Sequence, residues 1–217
     1  MTASSTDSRL LDVAVDHFGR LGLEGASTRA IARDAATLMS SITYHFGGKQ
    51  GLYLAAADHI TTRIQTWIRP TLDRAETLCD RNADNGSVRP AIHAIIGGMT
   101  ALMLNDETAA ISRFIVREQA EPTAAFARIY NGVMGPMLDR VGLLLIRVSN
   151  GHLTLDEARL RAMTIIGQVL VFRVARATAM TGMGWEGYGP AESTRISHTI
   201  AANLDALLDQ ISAGDAA

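Results

Sequence analysis

The sequence predicts an all-α protein of about nine helices. Apolar side chains recur at spacings of three and four residues along most of the 217 residues, which places them on one face of a helix. No stretch alternates apolar and polar residues for long enough to predict a strand. We expect an N-terminal three-helix domain, residues 1–50 with a flexible tail at its start, and a larger helical domain, residues 51–217.

The first predicted helix lies near the amino end and stops at a glycine. Its apolar side chains recur at helical spacing: Leu10, Leu11, Ala14, Val15, Phe18 and Leu21. Gly22 follows them, in a position where glycine commonly ends a helix. The pattern predicts an amphipathic helix.

Residues 27–52 predict two short helices joined by a tight turn. Ser27 suits the start of the first helix, because a serine hydroxyl accepts a hydrogen bond from a free backbone N–H. The second helix is predicted from about Met39 to Tyr44. It offers hydroxyls and no carboxylate: Ser40, Ser41, Thr43 and Tyr44. A helix, a turn and a second helix with such a surface indicate a helix-turn-helix unit that binds DNA.

Two glycines and the only lysine of the chain follow this unit. Gly47 and Gly48 allow a sharp turn because they lack a Cβ atom. Lys49 stands alone among 19 arginines. A compositional bias toward arginine explains the missing lysines but not the position of this one. A compact ammonium beside a glycine turn suits a phosphate oxygen, and the alternative is a simple solvated side chain.

The rest of the chain is predicted to be helical as well. A long helix should run from near Gln50 to Cys79, with Pro70 as a possible kink, and residues 80–88 should form a loop. Pro90 suits the first turn of the next helix. Another helix begins at Pro122. It is expected to bend or break at Gly135-Pro136, and Leu138 to Val148 continues it.

The last two helices carry the most apolar surface. Residues 158–180 are apolar on nearly all sides, so this helix should be buried. Gln168, Arg173 and Arg176 argue against a membrane span. The final helix, Ser193 to Ile211, has an apolar stripe. Two such helices would form a four-helix bundle with a second copy, unless both faces are buried within one chain.

The N-terminal segment resembles the DNA-binding domain of TetR-type transcriptional repressors. The resemblance rests on IARDA at 31–35 and YHFGGK at 44–49, and with the first helix it covers about residues 8–60. It implies that Arg29 and the serine and threonine hydroxyls lie nearest the bases. Tyr44, His45 and Lys49 would then contact the phosphate backbone. The predicted DNA-contacting residues are Thr28, Arg29, Met39, Ser40, Ser41, Thr43, Tyr44, His45 and Lys49.

Two positions depart from the usual TetR-type pattern. Ala36 stands where a glycine usually makes the tight turn, and Leu38 stands where a polar residue usually caps the recognition helix. Thr37 could cap the helix from one residue earlier. Leu38 and Met39 could contact thymine methyl groups, or Leu38 could pack into the small core.

The segment 113–137 further resembles the CecR-like subgroup of these regulators, as do Phe172-Arg173 and Gly184-Trp185. This resemblance implies a C-terminal domain for ligand sensing and dimerisation, with a small hydrophobic molecule as effector. Adaptable and aromatic side chains, with two polar anchors, are the candidate ligand contacts: Met99, Met103, Phe114, Arg117, Phe126, Tyr130, Met134, Gln168 and Phe172. Each could instead be ordinary core, and Arg113 and Arg117 could pair with Glu118 or Glu121 at the surface.

TetR-type proteins dimerise through their last two helices, so the resemblance also predicts a homodimer. The predicted interface residues are Ile165, Val169, Phe172, Arg176, Ile196, Ile200, Leu204, Leu207 and Leu208. Two recognition helices about 34–36 Å apart would then enter successive major grooves of a pseudo-palindromic operator. Effector binding would move the long helix after Lys49 and change that separation. Net charge is only −2, and five acidic side chains offset five basic ones within residues 1–50, so charge placement must supply the attraction to DNA.

An enzyme is the rival class. Residues 182–187 satisfy the literal dinucleotide pattern GxGxxG, but a long helix precedes them where the fingerprint requires a strand. The histidines show no HExxH pairing, and Cys79 is the only cysteine, so we expect no metal, cofactor or disulfide. The polar amino end and the absence of a membrane span predict a cytoplasmic protein. An activator on the same fold, or a helical small-molecule-binding protein, remains an alternative to the repressor.

Overall fold

A computed structural model describes residues 5–79 and 87–213. These ranges contain α-helices, one turn of 3₁₀-helix and one π-helical turn, with no strand among them, so the predicted all-α fold is confirmed. The predicted loop at 80–88 lies mostly outside the described residues, which resume just before a helix that begins at Val88.

The helices follow one another along the chain with short connections. In chain order they are α1 (Ser5–Gly25), α2 (Thr28–Asp34), α3 (Met39–Phe46), α4 (Lys49–Cys79), α5 (Val88–Leu104), α6 (Ala109–Ala120), α7 (Ala124–Ile129), α8 (Gly135–Val148), α9 (Leu155–Val174), α10 (Arg176–Met183) and α11 (Pro190–Ser212). The 3₁₀ turn is Asp106–Thr108, and the π-helical segment is Tyr130–Met134.

The described part of the chain has eleven α-helices, two more than expected, because breaks divide predicted helices. The predicted bend at Gly135-Pro136 is the point where a π-helical turn gives way to α8. The predicted helix over 158–180 is interrupted at Ala175, whose backbone leaves helical geometry with φ −103° and ψ 34°. Pro70 lies inside α4 and does not end it.

The described residues pack as two compact units. The first contains the described residues up to Thr66 together with Glu107–Met134. Its core joins α1, α2, α3, the start of α4, α6 and α7. An aromatic cluster lies at its centre, with the ring of Tyr53 4.8 Å from that of Phe18 and 4.8 Å from that of Phe114. Each large side chain buried here stabilises the fold by about 1.5–3 kcal/mol.

The second unit contains Trp67–Asp106 and the described residues from Gly135 onward. Its core is formed by the inner faces of α5, α8, α9 and α11, with Ile92, Leu144 and Leu208 fully buried. A capping box starts α9: the Thr154 hydroxyl accepts from the Glu157 N–H, and the Glu157 carboxylate accepts from the Thr154 N–H. The functional division predicted at residue 50 stays a prediction.

The structure corrects the residues predicted for a dimer interface. Six of the nine lie in the core of the second unit, each at most 5% exposed: Ile165, Val169, Ile196, Ile200, Leu204 and Leu208. A side chain already buried within one chain has no surface left for a second copy, so their stripes pack inward as the alternative interpretation held. Phe172, Arg176 and Leu207 are partly exposed and stay predictions.

No single helix within residues 5–79 and 87–213 has the length and apolar composition to cross a membrane. The pair α9 and α10 meets that standard only when taken together, with a bend of 76° between them.

Candidate nucleic-acid interface

The segment α2–turn–α3 forms a helix-turn-helix. As predicted, Ser27 caps α2, and its Oγ accepts a hydrogen bond from the Ala30 N–H at 3.4 Å. Ile31 and Ile42 are buried at 0% and 1% exposure, one from each helix. Because both helices bury one apolar side toward α1 and α4, the opposite side of α3 faces outward.

The turn after α2 is made by an alanine in the left-handed region. Ala36 has φ +49°. Its N–H bonds the carbonyl of Arg33 at 3.0 Å, and the N–H of Thr37 bonds that of Ala32 at 2.9 Å. This pair of bonds is the Schellman motif, in which the left-handed position is usually glycine. The chain therefore keeps the tight turn of a helix-turn-helix at the expense of a strained alanine.

Recognition helix α3 begins without a side-chain cap. Leu38 occupies the N-cap position with extended backbone, and no side chain bonds the free N–H groups there. The suggested cap by Thr37 is therefore wrong. Leu38 is 72% exposed, so the suggestion that it packs into the three-helix core is wrong as well.

The predicted DNA-contacting residues lie mostly on the exposed side of this unit. The exposed ones are Arg29, Met39, Ser40, Thr43, Tyr44 and His45, and the partly buried ones are Thr28, Ser41 and Lys49. Tyr44 is 85% exposed, with its ring edge-on to His45 at 4.9 Å. Each residue's contact with DNA stays a prediction.

The carboxylate of Asp34, the last residue of α2, is paired with two neighbouring side chains. Asp34 accepts a hydrogen bond from Arg33 Nε at 2.8 Å, and His17 Nε2 lies 2.9 Å from its other oxygen. The hydrogen bond from Arg33, followed by that from His17, lowers the pKa of Asp34 below its usual value. The carboxylate thus stays ionised and paired, which reduces its repulsion of an approaching phosphate.

Lys49 has a structural contact that the sequence did not indicate. Its Nζ donates a hydrogen bond to the Glu24 carbonyl at 2.8 Å, which links the start of α4 to the end of α1. An ammonium has three N–H donors, so this bond leaves donors available for phosphate.

Three glycines shape the passage from α3 to α4. Gly47 ends α3 in the left-handed region at φ +70°, and Gly48 continues at φ +113°. Gly51 is required for a different reason, because a Cβ atom there would lie 1.7 Å from the Phe46 carbonyl oxygen. The last turn of α3 therefore packs directly on the backbone of α4.

A buried polar network connects α4 to α6 and α7 within the first unit. The Tyr53 hydroxyl donates to Glu118 at 2.5 Å, and Glu118 also accepts from the N–H of Thr123 at 3.0 Å and from its hydroxyl at 2.9 Å. Burial, followed by the hydrogen bond to Glu118, raises the pKa of Tyr53 well above its usual value. Sequence reasoning missed this network.

The suggested surface pairs of Glu118 are wrong, because this carboxylate is only 1% exposed. Arg113 instead bonds Asp16 at 2.8 Å, and Arg117 donates to the Arg20 carbonyl at 3.2 Å. Both arginines therefore join α6 to α1.

The predicted ligand contacts fall in both units. The first unit holds Phe114, Arg117, Phe126, Tyr130 and Met134, and the second holds Met99, Met103, Gln168 and Phe172. Phe126 and Tyr130 stack at 5.8 Å. Phe114 and Met99 are buried in their cores, which favours the alternative of ordinary packing for these two. The ligand role of every member of the set stays a prediction.

An open groove in the second unit borders one of those residues, because Tyr188 in its lining donates a hydrogen bond to the Phe172 carbonyl at 2.6 Å. Its volume is about 700 Å³, and it is lined by Ala101, Leu104, Asn105, Tyr188, Ser193, Thr194, Ser197 and His198. No group of three or more His, Cys, Asp or Glu side chains in the described part of the chain is arranged to hold a metal ion. The GxGxxG pattern lies at the end of α10, where Gly184 is the left-handed C-cap.

Sequence comparison identifies the two parts of the chain separately. Residues 10–56 match the family described as bacterial regulatory proteins, tetR family. Residues 88–211 match the C-terminal domain of the HTH-type transcriptional dual regulator CecR. The CecR protein of Shigella flexneri is 31% identical to this chain over 94% of its length and 92% of the relative's.

Solved structures share the fold. SCO4454, a TetR-family regulator from Streptomyces coelicolor, matches with a TM-score of 0.66 at 16% identity, over 95% of this chain and 96% of its own. AibR, solved with isovaleryl coenzyme A and operator DNA, matches with a TM-score of 0.66 at 15% identity, over 89% and 95%. FadR from Bacillus subtilis, solved with stearoyl-CoA, matches with a TM-score of 0.57 at 14% identity, over 95% of this chain and 97% of its own.

The fold and the helix-turn-helix define a DNA-binding transcriptional regulator. More particularly, the chain belongs to the TetR family and carries a CecR-type C-terminal domain, as the resemblances in its sequence indicated.

Proposed function

We propose that this protein is a ligand-responsive repressor that binds a pseudo-palindromic operator as a homodimer and is released by a small hydrophobic effector. The observation that carries the proposal is the exposed side of α3. Ser40, Thr43 and Tyr44 point outward there, beside a turn with the hydrogen bonds of a helix C-cap. We expect the protein to bind its operator DNA in the cytoplasm.

The proposed dimer contact is the outer face of α9. Apolar side chains between 39% and 65% exposed lie there along one side of the helix: Leu160, Met163, Leu170, Val171 and Val174. At the centre of this stripe is Gly167, where an added Cβ would meet nothing within 4 Å. A contiguous apolar stripe with a small central residue favours close packing against another helix.

The outer face of α11 adjoins this stripe. Asn203 donates a hydrogen bond to the Gln168 side chain at 3.1 Å, which holds the two helices side by side. Ala202 and Ala206 are exposed on the same side of α11. Two copies related by a two-fold axis would bring α9 and α11 of each into a four-helix bundle, built from the outer faces rather than from the buried stripes.

The proposed effector acts on the segment that follows α6. Tyr130 and Met134 belong to the π-helical turn, a kind of distortion that often occurs at functional sites. This turn contacts α4, because Gln65 donates to the Gly132 carbonyl at 2.8 Å and a Cβ on Gly132 would lie 2.3 Å from Thr61 Cγ2. A ligand against Tyr130 would therefore displace α4, which begins directly after α3.

Acyl thioesters are the first effectors to test. AibR was solved with isovaleryl coenzyme A and FadR with stearoyl-CoA, and both share this fold. An effector releases DNA only if it binds the free conformation more tightly than the operator-bound one. Titration of short and long acyl-CoA into a protein–operator complex should then lower the bound fraction, whereas equal affinity for both states would leave it unchanged.

An activator on the same fold is the second candidate, because the relative from Shigella flexneri is a dual regulator. Transcription in vitro from a promoter that carries an operator of this protein distinguishes the repressor from the activator. Repression predicts fewer transcripts on addition of the protein, and activation predicts more.

A further inference from the structure

Two apolar side chains occupy the first positions of recognition helix α3. Leu38, the N-cap residue, is 72% exposed, and Met39, the first residue of the helix, is 50% exposed. In a helix-turn-helix, the N-terminal residues of the second helix are the ones that contact base edges. The positions that should approach the bases first are therefore apolar.

Neither of the ordinary structural roles accounts for Leu38. It is not a core residue, since the core positions of this unit are filled by Ile31, Ala35 and Ile42, each at most 2% exposed. It is not a cap, since its side chain has no hydrogen-bonding atom and α3 has no side-chain cap bond. A serine or aspartate there would satisfy a free N–H of α3, so leucine makes the isolated helix less stable.

We propose that Leu38 and Met39 contact the C5-methyl group of thymine in the major groove of the operator. This inference rests on the proposed function. Thymine is the only standard base that carries a methyl group at the groove edge, and apolar side chains are the partners that recognise it. Adenine, guanine and cytosine have no methyl group in the same groove, so an apolar pair there favours thymine by burial of its methyl group.

The surroundings favour DNA over a protein as the occupant. Ser40 and Thr43 place hydroxyls next to the apolar pair, α3 contains no carboxylate, and Arg29 is exposed one helix earlier. Such a surface is neutral to positive and can donate to phosphates and base edges on either side of a methyl contact. The apolar pair is thus continuous with the predicted DNA-contacting residues.

The test begins with the full-length protein and a random-sequence duplex library. Each thymine of the selected site is then replaced, one at a time, by deoxyuridine, which removes only the methyl group. At one or more positions in each half-site we expect affinity to fall roughly fourfold, the ratio that corresponds to burying one methyl group. In Leu38→Ala or Met39→Ala, the same replacement should change affinity less than twofold.

Two controls separate the methyl contact from other effects. Leu38→Ser introduces a capping hydroxyl, so it should melt at a higher temperature than Leu38→Ala while still lacking the methyl dependence. Thymines outside the footprint should be insensitive in every variant. Specific binding that ignores deoxyuridine throughout, or an equal methyl effect in the alanine variants, would overturn the inference while leaving the proposed function intact. Failure to select any sequence would overturn both.

Discussion

The hydroxyl of Tyr53 donates a hydrogen bond to the carboxylate of Glu118, which lies 65 residues later in the chain, and both side chains are buried. The same carboxylate accepts two hydrogen bonds from Thr123. One acidic group therefore holds α4, α6 and the start of α7 together.

Tyr53→Phe should lower the free energy of unfolding by about 1–3 kcal/mol, because it removes a donor from a buried carboxylate. Chemical denaturation at neutral pH measures the change. Tyr130→Phe is the matched control: Tyr130 is 41% exposed, and its change should stay within about 0.5 kcal/mol. Equal effects of the two substitutions would show that the hydrogen bond to Glu118 adds no stability.

Stability should also fall at high pH through Tyr53. The pKa of Tyr53 is raised in the folded chain, so the unfolded chain loses this proton first as pH increases. The contribution of Tyr53 is therefore complete below about pH 10, the ordinary tyrosine value, and declines above it. The difference in unfolding free energy between the wild type and Tyr53→Phe should shrink over that range. A difference that stays constant there contradicts the assignment.

Ala36→Gly should stabilise the protein by roughly 0.5–1 kcal/mol. At φ +49° an alanine is strained and a glycine is not, although the glycine makes the unfolded chain more flexible. Ala30→Gly, inside α2, is the control of opposite sign and should be destabilising by about 0.5–1 kcal/mol. The melting temperatures of the two variants should thus shift in opposite directions from that of the wild type. Shifts in the same direction would show that Ala36 is not strained in the turn.

Gly51→Ala should destabilise the first unit by about 1–3 kcal/mol or more, because the added Cβ would overlap the Phe46 carbonyl oxygen. Gly97→Ala is the matched control, since it also lies within a helix but has open space around its Cβ position. That control should gain about 0.5–1 kcal/mol from helix propensity. If neither alanine substitution lowers the free energy of unfolding, the close packing of Gly51 on the Phe46 carbonyl is contradicted.

Val171→Asp should separate the proposed dimer into folded monomers. Val171 is 48% exposed in the α9 stripe, one helical turn after Gly167, and a carboxylate there would be buried against its own copy in a symmetric contact. Val116→Asp, on α6 at 41% exposure, should leave the mass unchanged. Light scattering coupled to size-exclusion chromatography measures the molar mass of each variant. A wild type with the mass of a monomer would show that the proposed dimer does not form.

The sequence predicted the helix-turn-helix better than it predicted the ends of the body helices. The cap at Ser27 and the glycine exit at Gly47 are local signals, and the structure confirms both. The start of α9 was placed three residues late. The capping-box signature of Thr154 and Glu157 was present and would have placed it at Leu155.

Long-range packing explains what sequence reasoning could not reach. The apolar stripes of α9 and α11 have the right spacing for either a monomer core or a dimer contact, and periodicity alone does not tell which side turns inward. The burial of Glu118 depends on Tyr53 and Thr123, one of them far away in the chain. Position 51 also could not be interpreted from local sequence, because glycine is required there by the Phe46 carbonyl in the preceding helix.

Selection from a random duplex library with the purified full-length protein tests most directly whether two copies of α3 recognise a repeated DNA sequence. We expect an enriched inverted repeat whose half-site centres lie about 10–10.5 base pairs apart, or a multiple of that, with two copies bound. Enrichment of no sequence at low salt, or of a single unrepeated site bound by one copy, would contradict it.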